Sequence, residues 1–80
     1  MKVEVLGPGC PKCKKLAEMV EAVLAETGRQ AEVVKVTDIQ QIVESGVMST
    51  PGLRINGKLK SSGRLPRPEE IAGWLAEAGE

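Results

Sequence analysis

Met1-Lys2-Val3-Glu4-Val5-Leu6-Gly7-Pro8-Gly9-Cys10-Pro11-Lys12-Cys13 is the stretch that decides how this chain is read. Val3 and Val5 share one face of an alternating run that stops at Gly7-Pro8-Gly9, the pattern of a strand ending in a loop. Pro11 suits the first position of a helix, so Cys10 falls at its cap. Pro11 has no N–H, which leaves the amides of Lys12 and Cys13 as the free donors aimed at the Cys10 sulfur. Together with the helix dipole they favour thiolate over thiol. Cys13 lies about 20° from Val20 at about 100° per residue, so it points inward with the core stripe. One sulfur is exposed and activated, and the other is sheltered. Cys10 can attack a disulfide to give a mixed disulfide, and Cys13 can resolve it.

These are the only two cysteines, and the chain has no histidine. A structural staple is the plainer alternative, but so small a loop is worth only about 2 kcal/mol, against about 4.7 for a long one. A metal site is the sharper one. Two thiolates cannot complete a zinc tetrahedron alone, yet they can hold Cu(I), and copper metallochaperones also place Cys-x-x-Cys between a first strand and a first helix. Such metallochaperones run βαββαβ, however, and this chain is read as ending in a helix.

Outward from the motif, Leu16, Met19, Val20, Val23 and Leu24 recur at helical spacing up to Gly28, which caps the helix. Ala31 to Val36 reads as a second strand. Asp38 with Gln41 resembles a capping box for a short helix carrying Ile39, Ile42 and Val43 on one face. Leu53-Arg54-Ile55 and Lys58-Leu59-Lys60 flank Asn56-Gly57, the strongest short hairpin signal. A two-residue turn there puts Lys58 and Lys60 on the face of Leu53 and Ile55. A three-residue loop pairs Ile55 with Leu59, and burial favours that register. Pro68 opens a last helix with Ile71, Trp74, Leu75 and Ala78 inward. The order βαβαββα predicts an α/β fold over residues 1–80 as a single domain: one four-stranded mixed sheet with helices on both faces.

Composition removes several function classes. Eleven basic residues balance eleven acidic ones, whereas a nucleic-acid binder needs a basic excess. Trp74 is the only aromatic, so there is no stacking platform for single strands. No apolar run approaches the roughly 20 residues that span a bilayer, and Met1-Lys2-Val3-Glu4 begins no signal peptide, so a cytoplasmic location is expected. Gly52 to Leu59 nearly spells a P-loop, but Leu59 stands where the magnesium-binding hydroxyl belongs and no helix follows. Gly7-Pro8-Gly9 lacks the third glycine of a dinucleotide fingerprint, and its glycines are read as allowing a tight turn beside Cys10. Lys12, Lys14 and Lys15 cluster around the thiols. They form either a solvated helix face balanced by Glu18 and Glu21 or, with Lys12 foremost, a means of lowering the Cys10 pKa and attracting acidic partners.

Cys10-Pro11-Lys12-Cys13 after a strand, Thr50-Pro51 before a hairpin and Gly63 before a last helix resemble the thioredoxin superfamily. In size and Cys-Pro-x-Cys order the chain is similar to glutaredoxins and to small thioredoxin-like redox-active disulfide proteins of prokaryotes. The resemblance covers essentially the whole chain. It implies a thioredoxin-like fold and a protein disulfide oxidoreductase of electron transport, with Cys10 as nucleophile and Cys13 as resolving thiol. It further implies a cis Pro51 facing them, and a Thr50 backbone turned outward to pair with an extended substrate. The implied partners are protein disulfide or dithiol substrates and an upstream reductase, met by a monomer without a cofactor or metal. Gly9 stands where typical thioredoxins have tryptophan, and Lys12 where glutaredoxins commonly have tyrosine. Ser61-Ser62-Gly63-Arg64 lacks the Gly-Gly and acidic pair that hold glutathione in glutaredoxins, which points to protein substrates instead.

Overall fold

Alternation along the first strand divides the protein into two unequal cores. The computed structural model describes residues 1–78. The chain runs β1 (Lys2–Leu6), α1 (Pro11–Thr27), β2 (Glu32–Val36), α2 (Ile39–Glu44), β3 (Gly52–Ile55), β4 (Lys58–Ser62) and α3 (Pro68–Ala78). The strands form one sheet in the order β2-β1-β3-β4, with β1 and β2 parallel and the other pairs antiparallel. The parallel pair needs a long crossover, and α1 supplies it. On one face Val3, Val5, Leu53 and Ile55 pack with Leu16, Val20 and Val23 of α1 and Ile71 and Leu75 of α3. On the other, Leu6 and Val36 meet Ile42 of α2 and Val47. This is the expected mixed α/β architecture. After β2 the chain enters α2, where the βαββαβ order of a metallochaperone has a strand.

Two local expectations require correction. The face of α2 was expected to bury Ile39, Ile42 and Val43, but only Ile42 is buried; Ile39 and Val43 are 63% and 68% exposed. Six residues rise only about 9 Å, and the cluster beneath them is just Leu6, Val36 and Val47. Residues turned about 60° and 100° from Ile42 therefore find no surface to cover them. The N-terminus of α2 is capped by Asp38, whose Oδ1 accepts the Gln40 N–H at 2.9 Å.

The hairpin is the second correction. Asn56-Gly57 forms a two-residue turn, with φ of 50° and 82°, and Ile55 pairs with Lys58 rather than Leu59. Both residues need positive φ, which Asn and Gly tolerate best. The ladder then slips between Leu53 and Arg54: Arg54 faces Leu59, and Leu53 faces Ser61. Lys60 is the extra residue of a bulge, so Ser61 takes the core-side place opposite Leu53 while Leu59 stays 41% exposed. The Ser61 Oγ is buried without a partner among the described residues.

Beside α2 the sheet is covered by an ion pair. Glu4 and Arg54 are direct cross-strand neighbours, and the Arg54 Nε and Nη2 donate to the Glu4 Oε1 and Oε2 at 2.9 and 2.6 Å. Glu4 is only 8% exposed. The Arg54 hydrogen bonds hold its carboxyl below the usual carboxylate range against the opposing effect of burial. A carboxylate whose pKa is lowered on folding contributes stability above its unfolded pKa of about 4.3, and loses it as pH falls through the lowered folded value. Urea midpoints measured from pH 7 to pH 2 should therefore converge for the protein and Glu4→Gln as the solution is acidified. Arg54→Ala strands a buried carboxylate and is expected to cost about 1–3 kcal/mol at pH 7.

Candidate functional site

Cys10 and Cys13 are joined as a disulfide across the first turn of α1, with their Cα atoms 5.0 Å apart. Cys10 is the N-cap in extended backbone (φ −65°, ψ 162°), and Pro11 is the first helical residue. The Cys10 Sγ accepts the Cys13 N–H at 3.2 Å. Of the two amides considered from sequence, the cap bond uses this one. The sulfurs are unequally placed: Cys10 is half-buried, whereas Cys13 is 4% exposed.

Cys13 is sheltered by the end of β1. A Cβ built on Gly7 would run into the Cys13 Sγ, and it would stand 3.8 Å from the Thr50 Cβ. Gly7 is thus required for space, a role different from the tight turn read for it. Gly9 carries the turn instead, at a φ of 96°. The Gly7 N–H donates to the Val36 carbonyl at 2.9 Å, which seats the end of β2 against the same spot.

Thr50-Pro51 belongs to a second loop that reaches Gly7. Its peptide bond is cis; Pro51 is buried and Thr50 exposed. The Pro51 carbonyl accepts the Gly63 N–H at 3.0 Å, and a Cβ on Gly63 would come within 2.6 Å of the Ser49 Oγ. Three loops therefore converge on the disulfide end of the sheet: residues 7–10, 48–51 and 63–67. The last is fixed by Glu70, whose carboxylate takes two bonds from the Arg64 guanidinium at 3.0 and 2.8 Å and one from the Arg67 N–H at 3.0 Å. Arg64 first and Arg67 next hold that carboxyl down to about 2. Glu70 reaching back to Arg67 is one half of a capping box, which explains how α3 starts without a Ser, Thr, Asp or Asn cap.

Lys12 is exposed, as are Lys14 and Lys15. None of them belongs to the three ion pairs formed among the described residues, so Glu18 and Glu21 do not neutralise them by contact. The sequence-predicted Cys10 and Cys13 are brought together, and Thr50 stands with Cys13 around Gly7. Sequence reasoning missed the clearance that Gly7 gives Cys13, and also Glu70 and Lys35, the latter lining a notch beside Cys13 with Lys14 and Thr37. The available signal was topological, since sites in parallel sheets gather at the carboxyl ends of strands. Among the described residues no group of three or more His, Cys, Asp or Glu side chains is gathered.

A family model described as a thioredoxin domain matches residues 1–76. The chain is 38% identical over 76 residues to a thioredoxin of Methanothermobacter thermautotrophicus, covering 95% of this chain and 99% of that protein. It is 41% identical over 69 residues to a thioredoxin of Methanocaldococcus jannaschii, covering 86% and 79%. A probable thioredoxin of Methanothermobacter marburgensis is 32% identical over 73 residues, covering 86% of each.

The contact at Gly7 has a direct test. Gly7→Ala should lower the rate of disulfide exchange by about tenfold or more, because a displacement of about 1 Å at reacting groups costs at least that much. Gly9→Ala meets no atom within 4 Å and should chiefly cost stability, about 1–2 kcal/mol for its positive φ. Exchange rates and urea midpoints of the two variants should separate in these opposite ways.

Proposed function

The chain belongs to the thioredoxin family and is a thiol–disulfide oxidoreductase, and we propose that Cys10 is its attacking thiol and Cys13 its resolving thiol. In the reduced protein the Cys10 thiolate attacks one sulfur of a substrate disulfide. That S–S bond breaks, a Cys10–substrate disulfide forms, and the first substrate sulfur leaves as a thiolate that takes up a proton. Cys13 then gives up its proton and attacks the Cys10 Sγ. The second substrate thiol departs, and the Cys10–Cys13 disulfide remains. Two electrons pass to the substrate in each cycle, and an upstream reductase returns them. The observation that carries this assignment is the unequal exposure of the two sulfurs across one helical turn.

The cap bond from the Cys13 N–H and the N-terminal end of α1 favour the thiolate at Cys10. Pro51 has no N–H to offer, so it covers the sulfurs without competing for them, while exposed Thr50 presents backbone groups to an extended peptide. Lys12 adds positive charge near the attacking sulfur. Glutathione is not the favoured substrate: Ser61-Ser62-Gly63-Arg64 lacks the glutaredoxin pattern, and the nearby Glu70 carboxylate is committed to Arg64 and Arg67. Protein disulfides met by a cytoplasmic monomer in an electron-transport chain fit the site better. No helix among the described residues is long and apolar enough to cross a membrane.

Trapping distinguishes the two thiols. Incubated with a disulfide-bearing protein substrate, Cys13→Ser should accumulate a mixed disulfide on gels run without reductant, and Cys10→Ser should not. Equal alkylation rates of the two thiols in the reduced protein would contradict the assignment. Lys12→Glu should make the Cys10 thiolate harder to form at low ionic strength, an effect that shrinks as salt shortens the Debye length from about 10 Å at 0.1 M to about 3 Å at 1 M. A thiol titration unchanged by the substitution would leave Lys12 an ordinary surface residue.

A further inference from the structure

Cys13 borders a notch of about 30 Å³ whose wall also includes Gly7, Thr37, Lys14 and Lys35. The fold puts these residues together from two directions. Parallel pairing carries β2 to the same end as β1, where the Gly7 N–H bonds the Val36 carbonyl, so Lys35 and Thr37 flank that bond. Lys14 lies about 100° around α1 from Cys13, while Lys12 lies about 100° the other way. Of the three helix lysines only Lys14 therefore lines the notch. The notch is too small to enclose a ligand. Lys14 and Lys35 are exposed, and a lysine on an apolar wall lines it with its methylene stem while its ammonium group stays in water.

Neither lysine belongs to an ion pair among the described residues. Asp38, just beyond Thr37, uses its carboxylate on the Gln40 N–H, and Glu18, one turn along α1 from Lys14, makes no ion pair with it within 4.0 Å. Two lysines that form no ion pair among the described residues thus line the notch beside Cys13, in a chain whose net charge is zero. We propose that Lys14 and Lys35 form a specificity site that favours substrates with an acidic side chain next to the cysteine under attack. A carboxylate there faces two cations at once, and the peptide is oriented with that side chain over β2. This rests on the exchange reading above and adds the chemical class of its substrate.

The test uses three disulfide-bearing peptides that differ only in having Asp, Asn or Lys beside the cysteine. Each rate of reduction by the protein is divided by the peptide's rate with dithiothreitol, which removes differences in the peptides' own reactivity. Comparing peptides within one protein likewise cancels any change in Cys10 nucleophilicity. The Asp peptide should react about tenfold faster than the Asn peptide at low salt, and the Lys peptide slowest, with the spread compressing at 0.5 M salt. The Asp/Asn ratio should fall towards one in the Lys14→Ala, Lys35→Ala double variant and persist in Lys15→Ala. A ratio near one in the unsubstituted protein, its survival in the double variant, or its equal loss in Lys15→Ala would each overturn the site while leaving exchange intact. Absence of exchange with all three peptides would overturn both the site and the reading beneath it.

Discussion

The sulfur of Cys13 occupies the space a side chain at residue 7 would fill, and the arrangement of the site follows from that contact. With Gly7 there, α1 can start close above the end of β1, which buries one sulfur and leaves the other at the helix cap. Residues 8 and 9 must then cover the step from strand to helix, and Gly9 takes the positive φ this requires. Thr50 borders the same gap, and Pro51 ties in the loop that leads to α3. The cysteine pair and the loop carrying Thr50 are thereby positioned by backbone proximity, whereas the start of the last helix is held by the contacts of Glu70 with Arg64 and Arg67.

A thin interior accounts for much of the remainder. The larger core lies between the sheet and α1 with α3; the smaller holds only a handful of side chains under α2. Where α2 ends, Glu4 and Arg54 cover the sheet as a two-pronged ion pair. The geometry favours such a pair because both prongs are satisfied, although desolvation offsets part of the attraction. Ile39 and Val43 remain on the outside because a two-turn helix can press only one residue against so small a cluster.

The redox motif was legible because its physics is local. A cap, a proline at the first helical position and a spacing of three residues fix which sulfur points inward, and all of it lies within the first thirteen residues. Element order was legible for a similar reason, since each strand or helix carries its own period and punctuation. The hairpin register was not: apolar pattern favoured Leu59 opposite Ile55, whereas the backbone demands of Asn56-Gly57 fixed the turn and the bulge at Lys60 absorbed the mismatch. The exposure of Ile39 and Val43, the clearance at Gly7 and the approach of Lys35 to Cys13 all depend on what another element places opposite. No single-segment period records such information.

The sheet order β2-β1-β3-β4 has a consequence for how the chain acquires its shape. Of these four strands the first in sequence is an interior one, and its antiparallel neighbour lies about fifty positions later, as the Glu4–Arg54 pair shows. While the chain is still being made, β1, α1 and β2 can associate as a half-sheet with one side of β1 unpaired. Closing that side must await emergence of the β3–β4 hairpin, a long-range step of the kind that slows folding. With only two cysteines in the chain there is one intramolecular pairing to form, so oxidation on the ribosome cannot scramble it. Premature closure yields the same Cys10–Cys13 bond that the finished protein makes and breaks.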